Sequence, residues 1–350
     1  MRSFSIKDSI SFDDVLLVPK YSEIESRSSV DLSVKIKKQK EDFVFSMPIV
    51  PANMKTVTGD NMAKYIAKRG ALALLHRFMS VEDQLKIIKD IFNENKAYAN
   101  NVGFSVGVKP EDKDTIDLFV CNGAKIICLD IAHAHSSAAI KMCQYVSETY
   151  KDVLLIAGNV ATGVAAEELW MAGADVVKVG VGSGSICTTR IETGNGVPQL
   201  SAIMDVAAAK AKVEGVLKGS RNIYFMSDGG IKIPADICKA LCFADMVMAG
   251  NIFAGTDEAP GDIIDIDGHS YKSYVGSSTH KDSRKEGVEA LVPYKGPTEK
   301  ILTRFLEGLQ SCCSYQGVSS VCDLKINPEF VKITNSGLIE SHPHDVRLKK

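Results

Sequence analysis

Short apolar runs recur along the chain, and stretches with apolar residues at helical spacing separate them. The runs cover 43–50, 71–75, 102–108, 124–132, 153–160, 175–181, 222–228 and 245–250. Several are apolar at consecutive positions, as in strands covered on both faces rather than strands with one wet side. Between them, helices are predicted over Asn61–Arg69, Val81–Asn93, Ala165–Ala172 with Gly173 as a stop, and Pro234–Phe243 with proline in its first turn. A last helix is predicted over Thr298–Leu309. Eight strand–helix alternations predict an α/β protein, a closed (β/α)8 barrel forming one domain over residues 1–350. An open doubly wound sheet would need a strand, G-x-G-x-x-G, a helix and a downstream acid, and no run is followed that way. After the eighth run, residues 256–296 are polar and turn-rich, which predicts a hairpin and a mobile flap inserted in the barrel.

Composition narrows the function classes. Hydrophobic residues make up 45% and charged residues 24% of the chain, so a packed globular protein is expected rather than a disordered one. Lysine plus arginine (41) nearly balances aspartate plus glutamate (43), which argues against a nucleic-acid partner. No apolar run reaches the ~20 residues of a membrane span, so no membrane association is expected. The start, MRSFSIKDSISFDDVLL, does not read as a secretory signal. Nine cysteines lack framework spacing, and most sit in apolar segments. They read as small packed hydrophobes in a reducing, cytoplasmic compartment. Cys238, Cys242 and the Cys312-Cys313 pair belong to that reading. His133-Ala134-His135 offers two metal ligands without a matching third and fourth, so no zinc site is expected.

A parallel barrel carries its chemistry at the C-terminal ends of the strands. Those ends hold Pro51-Ala52-Asn53-Met54, His76-Arg77, Asp130 with His133 and His135, Gly158-Asn159, the stretch 180–190 (GVGSGSICTTR), Ser227-Asp228-Gly229-Gly230 and Ala249-Gly250-Asn251. Turns alone favour Gly, Asn and Asp, which is the plain alternative. The loop after the sixth run says more. Its glycines let backbone groups approach a ligand closely, and Cys187 sits among hydroxyls beside Arg190. A thiol attacks as the thiolate, and nearby positive charge would favour that form. Glycines after the seventh and eighth runs suit a phosphate held by backbone amides, and Asp228 beside them suits a ribose diol.

Taken together these residues resemble the IMP dehydrogenase/GMP reductase family, from Ser11-Phe12-Asp13-Asp14-Val15-Leu16-Leu17 almost to the C-terminus. The string Gly182-Ser183-Gly184-Ser185-Ile186-Cys187-Thr188-Thr189-Arg190 is similar to that family's catalytic loop, with Ser183 where members carry proline. The family fold is a TIM barrel, usually in homotetramers. Many dehydrogenases insert regulatory CBS modules between the second and third barrel units; only a short stretch after Lys86 fills that place here. Their flap carries an Arg-Tyr pair whose arginine activates water, whereas 276–286 (GSSTHKDSRKE) has none. Pro51–Met54, Thr193-Gly194, Gln199–Ala202 and Ser227–Gly230 look like the reductase. Gly255–Gly261, Val292–Pro297 and Gly337–Val346 look like the dehydrogenase.

The resemblance implies an NADPH-dependent reductive deamination of GMP to IMP and ammonia through a covalent cysteine–purine intermediate. It makes Cys187 the nucleophile, with Thr189 hydrogen-bonded to Glu286 as the acid/base. Ser185, Gly230, Gly250, Asn251 and Tyr274 match the phosphate site and Asp228 the ribose contact. Met54, Ser277, Ser278, Glu286 and Gly287 match positions near the base, and Asp130 and Asn159 positions near the nicotinamide. Family reductases place an arginine three residues before the glutamate; here Ser283 stands there and Arg284 is one step off. Carbonyls of Gly182, Gly184 and Cys187 match a potassium (K+) site completed by a neighbour's C-terminal segment, so the tail 337–350 is expected at a subunit interface. Two other readings remain open at this point. One is an NAD-dependent IMP dehydrogenase without CBS modules. The other is a non-catalytic barrel that binds purine nucleoside monophosphates. A flavin-dependent barrel fits less well, because the glycine-rich loop is built around a cysteine.

Overall fold

The apolar runs form the strands of one parallel sheet that curls into a nearly closed barrel. The structure, a computed structural model, describes residues 6–38, 41–276 and 288–346. The barrel strands are β1 (Ile49–Pro51), β2 (Ala73–Leu75), β3 (Val102–Val106), β4 (Ile126–Asp130), β5 (Leu154–Val160), β6 (Val176–Val179), β7 (Tyr224–Asp228) and β8 (Met246–Ala249). Hydrogen bonding runs β1–β8–β7–β6–β5–β4–β3–β2, every pair parallel, and β1 lies beside β2 at the seam. All residues of β3, β6 and β8 are buried, as the consecutive apolar pattern requires.

Eight helices alternate with the strands: α1 (Asp60–Lys68), α2 (Val81–Glu94), α3 (Asp112–Cys121), α4 (Ser137–Thr149), α5 (Gly163–Met171), α6 (Gln199–Leu217), α7 (Pro234–Leu241) and α8 (Thr298–Gln316). Three of their starts are fixed by side chains that accept otherwise unpaired N–H groups: Ser80 from Asp83, Ser136 from Ala139 and Thr162 from Ala165. α5 packs closely on α6 because Gly163 has no side chain; a Cβ there would lie 2.8 Å from the Asp205 carbonyl. The five predicted helices are present as α1, α2, α5, α7 and α8, the last running on to Gln316, whereas α3, α4 and α6 were not among those predicted. Phe305, Leu309 and Cys313 extend the buried stripe of α8, and Gly317 in the left-handed conformation (φ 69°) ends it.

The first apolar run divides in two. Asp42–Phe45 pairs antiparallel with Val34–Lys37, and only Ile49–Pro51 enters the barrel. The alternating burial of that hairpin puts Ile36, Phe43 and Phe45 into the core at the N-terminal end of the barrel. Buried carboxylates tie the same end together. Asp175 accepts the Leu155 N–H and Asp245 the Phe225 N–H, each at 2.8 Å. The insertion after β8 forms an antiparallel sheet of Ile264–Ile266, His269–Val275 and Glu289–Pro293. The flap residues 277–287, with Ser277, Ser278, Glu286 and Gly287, lie outside the described residues. Among the described residues no helix is long and apolar enough to cross a membrane.

Candidate active site

The C-terminal ends of the strands surround two adjoining cavities of about 200 and 420 Å³. The smaller is lined by Arg77, Asp130, Asn159, Gly182, Cys187 and Thr189. The larger is lined by Ser185, Gln199, Gly230, Gly250 and Asn251. Met54, Gly184, Asp228 and Tyr274 border both. Every described residue singled out for substrate, cofactor or catalysis therefore faces one connected cleft, with Asp228 at the divide.

Cys187 sits in the loop after β6, just before the short helix Thr189–Thr193. Its N–H donates to the Gly184 carbonyl at 3.1 Å, which closes the turn and presents the sulfur to the cleft. The thiol lies 3.2 Å from Thr189 Oγ1. The guanidinium of Arg190, three residues on, donates to the Val197 carbonyl at 2.6 Å, and its stem lies against Gly182 and Gly196. Gly180 has no space for a Cβ against the Asp228 carbonyl, so the loop leaves β6 flush with the end of β7. The Ser183 hydroxyl, at the position where family members carry proline, donates to that same carbonyl at 3.1 Å.

The larger cavity depends on missing side chains. Gly229 and Gly230 take positive φ (98° and 79°) after β7. A Cβ on Gly250 would stand 2.5 Å from the Tyr274 hydroxyl. That hydroxyl reaches the cleft from the inserted sheet, which is anchored where Val275 N–H donates to Thr56 Oγ1 at 3.1 Å. Burial pushes the Tyr274 phenol up to about 12, with a hydrogen bond to Ser185 opposing the shift. It remains a neutral donor at any physiological pH.

One site residue was not singled out by sequence reasoning. Lys178, in β6, is buried with its ammonium 3.0 Å from Asp130 Oδ1 and 2.8 Å from Asp228 Oδ2. Asn159 Nδ2 donates to that Asp228 oxygen and to the Gly180 carbonyl, both at 2.8 Å. Burial pulls the ammonium down, but Asp130 and Asp228 outweigh it and hold Lys178 above the ordinary lysine value. The signal was a single cation inside an otherwise apolar run, DVVKVGV. A lysine in a strand covered on both faces must meet carboxylates. The cysteines Cys128, Cys143, Cys238, Cys242 and Cys313 are buried as expected, whereas Cys121 and Cys322 are exposed. His133 and His135 lie with ring centroids 6.2 Å apart, and His135 meets Glu168 at 3.0 Å.

Comparison with known proteins identifies the family. The model of the IMP dehydrogenase / GMP reductase domain matches residues 9–344. The chain is 36% identical to an inosine-5'-monophosphate dehydrogenase of Borreliella burgdorferi, over 97% of this chain and 98% of that one. It is 35% identical to a GMP reductase of Onchocerca volvulus, over 95% and 93%. It is 36% identical to a GMP reductase of Streptococcus pneumoniae, over 96% and 97%. With the cysteine loop, the two-part cleft and the nearly closed barrel in place, the chain belongs to the IMP dehydrogenase/GMP reductase family of purine-nucleotide oxidoreductases.

Proposed function

We propose that the protein is a GMP reductase, converting GMP, NADPH and a proton into IMP, ammonia and NADP+. The observation that carries this choice is the segment 276–286, GSSTHKDSRKE, which holds no Arg-Tyr pair to activate water. Without an activated water the covalent intermediate is reduced rather than hydrolysed.

The purine would enter the smaller cavity with its phosphate in the larger. Amides near Gly230, Gly250 and Asn251 and the hydroxyls of Ser185 and Tyr274 would hold the phosphate, and Asp228 the ribose diol. Met54, with Ser277, Ser278 and Gly287 from the flap, would border the base. Cys187 adds to C2 of the base, making a carbon–sulfur bond. The exocyclic amine takes a proton through Thr189 from Glu286 and departs as ammonia. When bound, the nicotinamide supplies the hydride that reaches C2. Cys187 then leaves as the carbon–sulfur bond breaks, and its thiolate is restored.

The residues present fit that cofactor. Asn159 Oδ1 is buried with no partner among the described residues, and Asp130 lines the same cavity. Two acceptors lining one cavity suit the amide hydrogens of a nicotinamide carboxamide. Carbonyls of Gly182, Gly184 and Cys187 lie in one turn and would hold a K+ ion, since a set of backbone carbonyls without carboxylates suits a monovalent cation. A homotetramer in a cytoplasmic compartment, with the C-terminal segment reaching a neighbour's cation site, completes the reading.

A second reading is an IMP dehydrogenase, favoured by the tail 337–346 and by the near full-length match to the Borreliella burgdorferi protein. Reduced-nicotinamide absorbance distinguishes them. GMP with NADPH is expected to deplete the band. Growth of the band with IMP and NAD+, and none of that depletion, would overturn the reductase assignment.

A further inference from the structure

At the end of the barrel opposite the cleft, a cavity of about 370 Å³ opens beneath the starts of β6 and β7. Four cationic side chains, Lys37, Lys38, Lys151 and Arg221, face two carboxylates, Asp42 and Asp175. Both carboxylates are already engaged. Asp175 accepts Lys38 at 2.5 Å and the Leu155 N–H at 2.8 Å, and Asp42 accepts Lys35 at 2.5 Å. Among the described residues no ion pair engages Lys37, Lys151 or Arg221. The surplus charge of the pocket is thus positive.

The donors point to an oxyanion. Arg221 gives one N–H to the Ala174 carbonyl, and a guanidinium carries five. Burial holds Arg221 below its ordinary value, with Asp175 only partly opposing. Lys151 gives one ammonium hydrogen to the Ser147 carbonyl at 2.9 Å, leaving two. Ser220 and Asn222 add a hydroxyl and an amide to the rim. Planar and point cations together suit phosphate oxygens better than a single carboxylate. At about 30 Å³ per water, the space exceeds a bare orthophosphate several times over.

We propose that this cavity is a second anion site, taking a phosphorylated small molecule of the phosphomonoester or pyrophosphate class at the N-terminal end of the barrel. It is independent of the reaction carried out at the other end, and its recognition differs in kind. The candidate active site relies on backbone amides and hydroxyls, whereas this pocket relies on side-chain cations.

Inorganic pyrophosphate titrated calorimetrically at constant ionic strength tests the proposal in three proteins: the native chain, Ser185→Ala and the double variant Lys37→Gln/Lys151→Gln. Both lysines are exposed, so their loss leaves the fold intact. Saturable binding that survives Ser185→Ala and weakens about tenfold or more in the double variant supports the site, as expected for lost charge-assisted hydrogen bonds. Binding unchanged in the double variant, binding lost with Ser185→Ala, or a non-saturating response matched by chloride would each overturn it.

Discussion

Replacing Lys178 with methionine removes the cation between Asp130 and Asp228 while keeping most of the side chain's volume. In the native protein the ammonium sits 3.0 Å from one carboxylate and 2.8 Å from the other. Removing one member of a buried ion cluster costs ~3–5 kcal/mol, because the remaining charges are left uncompensated. The two carboxylates are 14% and 19% exposed, so water offsets part of that cost and the lower end, about 3 kcal/mol, applies. At ~2.1 cal/mol/K per residue, a 350-residue chain has an unfolding entropy near 0.7 kcal/mol/K, so Tm should fall by roughly 4 °C. The effect on turnover should be larger. The carboxylates lose the link that fixes their spacing across the two cavities, and misplacement by about 1 Å costs on the order of a hundredfold. Differential scanning fluorimetry and steady-state kinetics measure both, and Lys178→Arg should recover most of each. A methionine variant that melts within a degree of the native protein and turns over normally would refute the bridging role.

Other consequences can be checked in parallel. Gly250→Ala puts a carbon 2.5 Å from the Tyr274 hydroxyl and 3.2 Å from Met54 sulfur, so KM for the nucleotide should rise at least tenfold with little change in Tm; an unchanged KM counts against the phosphate assignment. Tyr274→Phe should raise the same KM about tenfold, the worth of one hydrogen bond to a charged group. His76 is held neutral, its value lowered by burial and then by Lys55 from 6.5 to about 4. The unfolded chain therefore binds a proton that the folded chain refuses. Stability contributed by the neutral ring is complete above pH 6.5 and is lost as pH falls towards 4, by roughly 3 kcal/mol in all. Melting curves across that window should be steeper for the native protein than for His76→Gln; parallel curves would remove the histidine from the account.

The barrel was legible because each strand is buried on both faces and so reads as a continuous apolar run. The same property hid where the first strand begins. FVFSMPIV looks like one run, yet Ser46-Met47-Pro48 is a corner between the hairpin and β1. Proline lacks the N–H a continuing strand would need. Site residues at strand ends were legible by position, since Asp130, Asn159, Asp228 and Gly250 all fall where apolar runs stop. Contacts between them were not. Lys178 meets partners 48 and 50 residues away, a pairing set by the curl of the sheet rather than by spacing. The place of Arg190 was not legible either: it stands three residues from Cys187, and its guanidinium donates to the Val197 carbonyl, a contact that spacing alone does not show.

The most direct test of the covalent mechanism is the mass of the protein after acid quenching during turnover with GMP and NADPH. A fraction carrying the purine ribotide, minus ammonia, on the peptide containing Cys187, and no such adduct or turnover with Cys187→Ala, is the predicted result. Undiminished turnover by the alanine variant, or label on a different peptide, would contradict it.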